Sequence, residues 1–312
     1  MTDFFQNQFH FRTLLFSAFA VLLLTIGGTS CNVVDREEQI PAYLFIDTFS
    51  LTTKTDNSQG SNAHDIVDAW VYANGQLIGT FEVPATIPIL ANDKRRITIF
   101  GGIKRNGRTD DRAIFPFYKA IQDSVDLKSG KIDSIHPQVV YFDSTKFRWI
   151  EDFEDRSISL AKSGINVEKD SIQLTYDPNE VYGYGAKNLV SGFVEFDKDD
   201  QKFEAATISK FLIPAGKSTY LEINYKLEAN MQVGLYAFDA AGNQIGSAIN
   251  VLYLFNTKNA DGVAVWKKSY IHLDPDISQS QYKNASFKVF LQSYGSGAGS
   301  RIYFDNLKIL HY

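Results

Sequence analysis

Apolar and β-branched residues recur along this chain with the period of strands. Residues 42–51 crowd Tyr43, Phe45, Ile46, Thr48 and Phe49 into one run, which predicts a strand. Residues 66–72 read Ile-Val-Asp-Ala-Trp-Val-Tyr, then Asn74-Gly75, then a second run over 76–82. Asn-Gly between two such runs predicts a two-residue hairpin, because both residues tolerate positive φ. Residues 95–100 predict a further strand, and Pro84, Pro88 and Pro116 fall at strand ends or loops. Residues 41–148 therefore read as a small antiparallel β-sandwich. The stretch 128–137 is polar, with Gly130 and Pro137, and a boundary falls near Trp149. Beyond it, Leu221, Ile223, Tyr225 and Leu227 alternate with Tyr220, Glu222, Asn224 and Lys226, the period of a half-buried strand. Residues 231–238 predict a strand that turns at 239–243, where Gly242-Asn243 supplies the turn chemistry. Residues 287–291 alternate again, and a last strand closes the chain over 302–309. The fold class predicted is all-β, in two units.

The N-terminus has a different pattern. Residues 14–26 are apolar, preceded by Arg12 and followed by Gly27-Gly28-Thr29-Ser30-Cys31. The run is shorter than the roughly 20 residues that cross a bilayer, and small residues follow it as a cleavage site requires. This layout resembles a bacterial lipoprotein signal. The resemblance implies that residues 1–30 are removed and that Cys31 becomes the mature N-terminus, carrying a covalent lipid with palmitate-like acyl chains. Asn32 is not the aspartate that marks inner-membrane retention. Residues 31–40, with Asp35, Glu37 and Glu38, resemble the acidic tether of surface-exported lipoproteins; a plain solvated linker is the alternative. The expected location is the outer membrane, lipid-anchored and exposed at the cell surface.

Composition narrows the partners. Hydrophobic residues make up 44% and aromatics 14%, enough for real cores. The formal net charge of −5 argues against nucleic acid, which demands a basic face, and against electrostatic docking to anionic lipid. Cys31 is the only cysteine, so no disulfide can form within the chain.

Two family resemblances add expectations. Residues 71–80 (Val-Tyr-Ala-Asn-Gly-Gln-Leu-Ile-Gly-Thr), then Pro84 and Ile97-Thr98-Ile99, resemble the PEGA-like repeat of bacterial surface proteins. That implies a surface-associated interaction module. The opening Asp152-Phe153-Glu154-Asp155 and the closing Tyr303-Phe304-Asp305-Asn306-Leu307-Lys308-Ile309 resemble the jelly-roll domains of carbohydrate-binding modules, spanning residues 149–312. The resemblance implies that the first and last strands lie side by side and that Asp152, Glu154 and Asp305 hold a structural Ca²⁺. The alternative makes these acids solvent-facing or turn-forming. A jelly roll can stack sugars on exposed rings, and Tyr182, Tyr184, Trp266 and Tyr294 are the candidates; core or protein interface is the competing role for each.

Catalysis is not expected. His64, His136, His272 and His311 follow the cysteine in no metal-ligating spacing, and no G-x-S-x-G elbow occurs. Asp152 and Glu154, on one face of a strand, are the pair that a glycoside hydrolase would require. The sequence leaves three readings. The first is a non-catalytic binding or scaffold subunit of a surface assembly with an outer-membrane protein partner. The second is a glycan-binding surface lipoprotein, and the third and weakest a glycoside hydrolase.

Overall fold

The computed structural model describes residues 38–185 and 187–312. The lipidation candidate Cys31 and most of the acidic tether lie outside the described residues. The protein is all-β, and residues 41–312 make one compact unit. Residues 42–140 supply β1 (Ala42–Ile46), β2 (Ser50–Thr52), β3 (Asp68–Ala73), β4 (Gln76–Glu82), β5 (Ala85–Ile89), β6 (Lys94–Lys104), β7 (Arg112–Ile114), β8 (Ile121–Asp126), β9 (Ile132–Ile135) and β10 (Gln138–Val140). One sheet runs β4–β3–β6–β7 with β8 also on β6; a second runs β5–β1–β9, and β2 pairs with β10. Leu44, Ile46, Val71, Ile87, Ile97 and Ile99 fill the space between them. The β3–β4 hairpin turns on Asn74 and Gly75, whose φ values are 50° and 84°.

Two details depart from the sequence reading. The run 42–51 is two strands. Asp47 accepts the Thr48 N–H at 2.7 Å, the chain bends there, and β2 leaves for another sheet. This half is also not wholly antiparallel, because β1–β9 and β2–β10 pair in parallel. Their partners are separated by most of the half-domain, which supplies the long crossover that parallel pairing needs.

Residues 146–311 supply β11 (Lys146–Glu151), β12 (Leu160–Lys162), β13 (Gln173–Thr175), β14 (Ser191–Glu195), β15 (Lys202–Thr207), β16 (Phe211–Leu212), β17 (Thr219–Leu227), β18 (Met231–Phe238), β19 (Ile249–Leu254), β20 (Lys267–His272), β21 (Ser286–Tyr294) and β22 (Arg301–His311). One sheet runs β13–β14–β22–β17–β20, with β11 also on β22; the other runs β12–β15–β21–β18–β19, with β16 also on β21. Leu221, Ile223, Ile302 and Phe304 of the first sheet meet Val233, Leu235, Val289 and Leu291 of the second. Each such fully buried side chain contributes about 1.5–3 kcal/mol.

The outer face of β17 overturns the half-buried reading of residues 220–227. Tyr220, Glu222 and Asn224 are buried, as are Lys268, Tyr270 and Lys308 beside them. They are covered by the N-terminal half. Phe115 packs on Tyr220 and Tyr270 at centroid distances of 5.3 and 4.8 Å. Tyr141 Oη donates to Glu222 Oε1 at 3.0 Å, and Lys308 Nζ donates to the Ser61 carbonyl at 2.7 Å. Lys268 Nζ lies 2.7 Å from Glu222 Oε2, an ion pair without hydrogen-bond alignment. The polar half of the alternation thus marks an internal seam between two sandwiches.

Burial in that seam brings the Lys308 ammonium down to about 8, against the pull of Glu222 and with Lys268 adding to the fall. Its unfolded value is near 10.4. Between those values the unfolded chain binds a proton that the folded chain has released, so stability rises with pH. Below about 8 both forms are protonated and the burial cost is fully present. The buried Tyr118, Tyr141 and Tyr270 phenols are pushed well above 10, mainly by burial, so they lower stability only at higher pH. Urea unfolding should show a gain of about 1–2 kcal/mol from pH 8 to 9.5. Lys308→Met should flatten that rise; an unchanged slope in the variant would assign it to another group.

Candidate functional site

The outer face of β15–β21–β18–β19 carries a furrow. Pleating sends alternate residues of each strand outward. On β18 these are Gln232, Gly234, Tyr236 and Phe238; on β21 they are Lys288, Phe290, Gln292 and Tyr294. The register lines Glu204, Gln292, Gln232 and Tyr253 across the sheet in one row, and Ala206, Phe290, Gly234 and Asn250 in the next. A cavity of about 670 Å³ lies over Tyr236, Phe238 and Phe290, and one of about 360 Å³ continues past Tyr294; Asn250 and Gln292 line both. From Lys288 to Tyr294 the strand covers roughly 20 Å, several times the length of one pyranose ring.

The floor is aromatic because Gly234 leaves room for it. A Cβ there would sit 2.3 Å from Phe290 Cζ and 2.5 Å from the Ile249 carbonyl oxygen. With glycine, the Phe290 ring lies down over β18 and meets Tyr236 at 4.8 Å between centroids, tilted by 34°. Beside the rings, the buried Glu204 carboxylate accepts from Tyr236 Oη, from Ser163 Oγ at 3.1 Å and from Gln292 Nε2 at 3.1 Å. Lys202 Nζ lies 3.1 Å from it. Gly164, at φ 79°, lets the backbone approach this carboxylate, where a Cβ would stand 2.3 Å from Oε1. Burial, reinforced by Glu204, pushes the Tyr236 phenol well above its ordinary range and keeps it a donor. Glu204 therefore fixes Tyr236 and Gln292. Among the described residues, the Lys288 ammonium and the Asn250 amide have no hydrogen-bond partner within the protein, which leaves them for a ligand. Phe290 is only 2% exposed and backs Tyr236, so the apolar face offered is that of the half-buried Tyr236, flanked by amides and a cation. It suits a hydroxyl-rich chain better than an enclosed apolar molecule.

No family model matches this chain. No curated protein sequence matches it either. Among solved structures it is similar to a carbohydrate-binding module of the β-sandwich superfamily studied for promiscuous specificity, at 12% identity over 78% of this chain and 84% of that one, with a TM-score of 0.37. The carbohydrate-binding module TmCBM61, solved with β-1,4-galactotriose, aligns at 16% identity over 52% of this chain and 94% of its own, with a TM-score of 0.34. The K1 cleaved adhesin domain of Lys-gingipain from Porphyromonas gingivalis aligns at 14% identity over 53% and 97%, with a TM-score of 0.36.

The sequence candidates fall in three places. Tyr294, half-exposed, lines the far end of the furrow. Tyr182 and Trp266 meet edge-to-face at 5.4 Å, but in a different cavity on the other sheet. Tyr184 stands half-exposed on its glycine loop and lines none of these cavities. The residues missed were Gln232, Tyr236, Phe290, Gln292 and Glu204. For Gln232, Tyr236, Phe290 and Gln292 the signal is the outward half of the alternation in β18 and β21, and for Glu204 it is the register of β15 on β21.

The carboxylates proposed for Ca²⁺ are used differently. β11 ends at Glu151, and Phe153 and Arg156 at φ 58° and 64° fold residues 152–156 into a turn, so no strand face pairs Asp152 with Glu154. Glu154 Oε1 accepts the Leu189 and Val190 N–H groups at 2.7 and 3.1 Å, and Asp152 Oδ1 accepts the Glu154 N–H at 3.4 Å. Asp305 accepts from Ser191 Oγ and from the Asn306 N–H, both at 2.6 Å. Burial, with Glu154 and Asp152 adding, raises its carboxyl well above the usual range. Among the described residues no group of three His, Cys, Asp or Glu is placed to hold a metal. A Ca²⁺ takes about six to eight oxygens, so Asp152, Glu154 and Asp305 would need further ligands to hold one. They tie the 152–156 turn and the 189–190 loop to the sandwich.

Proposed function

We propose that this chain is a non-catalytic, lipid-anchored surface protein whose C-terminal sandwich binds a glycan chain in the furrow over β15, β21, β18 and β19. The observation that carries this reading is the Tyr236 ring, backed by the buried Phe290, with Glu204 holding Tyr236 and Gln292 beside it. The Tyr236 ring supplies a flat face for the C–H side of a pyranose, and amides and Lys288 supply donors and acceptors for its hydroxyls. The test is retention of the full chain on immobilised polysaccharides, with elution by the matching oligosaccharide; passage through every column contradicts it.

A scaffold role has its own observation. Tyr253, 48% exposed, and Phe255, 70% exposed, meet edge-to-face at 5.3 Å at the outer edge strand. An exposed aromatic pair of this kind fits a protein partner. Purification from mild-detergent membranes separates the readings, since a stoichiometric integral membrane partner supports the scaffold.

The anchor is proposed from Cys31 and the segment before it. Cys31→Ser should move the protein from the membrane fraction to the soluble one, as judged by fractionation and immunoblot. A variant that stays on the membrane contradicts a lipid on Cys31.

A further inference from the structure

A second cavity, of about 370 Å³, opens where the two sandwiches meet, and the furrow has no part in it. The C-terminal half gives it Tyr182, Tyr225, Trp266, Lys267 and Lys268, and the N-terminal half gives it Lys104. The Trp266 indole is fixed in place, because Nε1 donates to the Glu180 carbonyl at 3.1 Å and the ring abuts Tyr182. Lys268 lines this cavity with a side chain only 2% exposed, and its ammonium has no aligned hydrogen bond. Its partner is Glu222, 2.7 Å away, so Lys268 backs the cavity and does not reach into it. The charges around the space are Lys104, Lys267 and Asp65, with the Lys268–Glu222 ion pair behind them, so cations are in excess by one. His64 adds no charge at neutral pH, since burial, with Lys268, lowers it below its ordinary value. A fixed aromatic wall opposite an excess of ammonium groups matches a ring that has a flat apolar face and also carries an anion.

We propose that this inter-sandwich cavity is a second saccharide site, selective for a sugar that bears a carboxylate, of the hexuronic acid class. Its ring packs on Trp266 and Tyr182, and its carboxylate meets Lys104 and Lys267. The site exists only when both halves are in place, which gives the polar seam between them a functional consequence.

Trp266 is one of three tryptophans, so its emission reports the site. Full-length protein in mild detergent is titrated at pH 7 with D-glucuronate, D-glucose or acetate. Glucuronate should change the fluorescence saturably, and glucose and acetate at the same concentrations should not. Lys104→Ala with Lys267→Ala, both outside the buried seam, should weaken glucuronate binding at least about 10-fold. Tyr236→Ala should leave it unchanged. No response to glucuronate overturns the proposal. So does an equal response to glucose, which makes the site a neutral-sugar site, or to acetate, which makes it an unselective anion patch. Unaltered binding in the double lysine variant also overturns it, and loss in Tyr236→Ala places glucuronate in the furrow instead. Failure of the polysaccharide columns, by contrast, would count against the furrow and leave this result standing.

Discussion

Glu222→Ala should destabilise the protein by about 3–5 kcal/mol and lower its melting temperature by on the order of 10 °C. Glu222 is fully buried between the sandwiches, where its carboxylate faces the Lys268 ammonium at 2.7 Å and accepts from Tyr141 at 3.0 Å. Truncation leaves the Lys268 charge in the seam without its counter-ion and the Tyr141 hydroxyl without an acceptor. An uncompensated buried charge costs far more than the intact pair contributes. Replacing both members by apolar residues, Glu222→Leu with Lys268→Met, should therefore recover most of the loss. Calorimetry on the three proteins checks this. A single variant that melts within about 2 °C of the parent would mean that water reaches the seam and that the halves are not closed on each other there.

The seam also shows where sequence reading ends. The Asn74-Gly75 hairpin and the inward alternation of β17, β18 and β21 were legible, because turn dihedrals and strand period are local properties. The outer face of β17 was not. Glu222 and Asn224 look like solvent-facing positions, since nothing nearby in sequence covers them. Their cover is Tyr141 and the Phe115 region, far earlier in the chain. Asp152 and Glu154 were misplaced for a related reason: strand spacing was carried past Glu151 into a turn that positive φ at Phe153 creates. The furrow was half legible. Tyr294 is one of four aromatic candidates in the sequence, but Tyr236 and Gln292 come together over Phe290 only when β18 and β21 pair. Gly234, which lets the Phe290 ring lie down, carries meaning only against a neighbouring strand.

The largest effect on binding is expected from Tyr236→Ala. The ring lies over the buried Phe290 as the accessible part of the floor, and its hydroxyl is one of the donors that hold Glu204. Removing it deletes a stacking face and loosens the carboxylate that orients Gln292. Loss of a central aromatic anchor typically costs about 2 kcal/mol or more, which is roughly a 30-fold fall in affinity. Tyr236→Phe keeps the face and drops the hydroxyl, so it should fall between the two. Tyr184→Ala, outside the furrow, should bind like the parent.

The deciding measurement is calorimetric titration of the parent and Tyr236→Ala with the oligosaccharide that elutes the protein from its best polysaccharide column. The account predicts saturable binding by the parent and a loss of roughly 30-fold or more in the variant, with both proteins folded at the titration temperature. Equal affinity in the two proteins, or no binding to any polysaccharide by a folded parent, would contradict it.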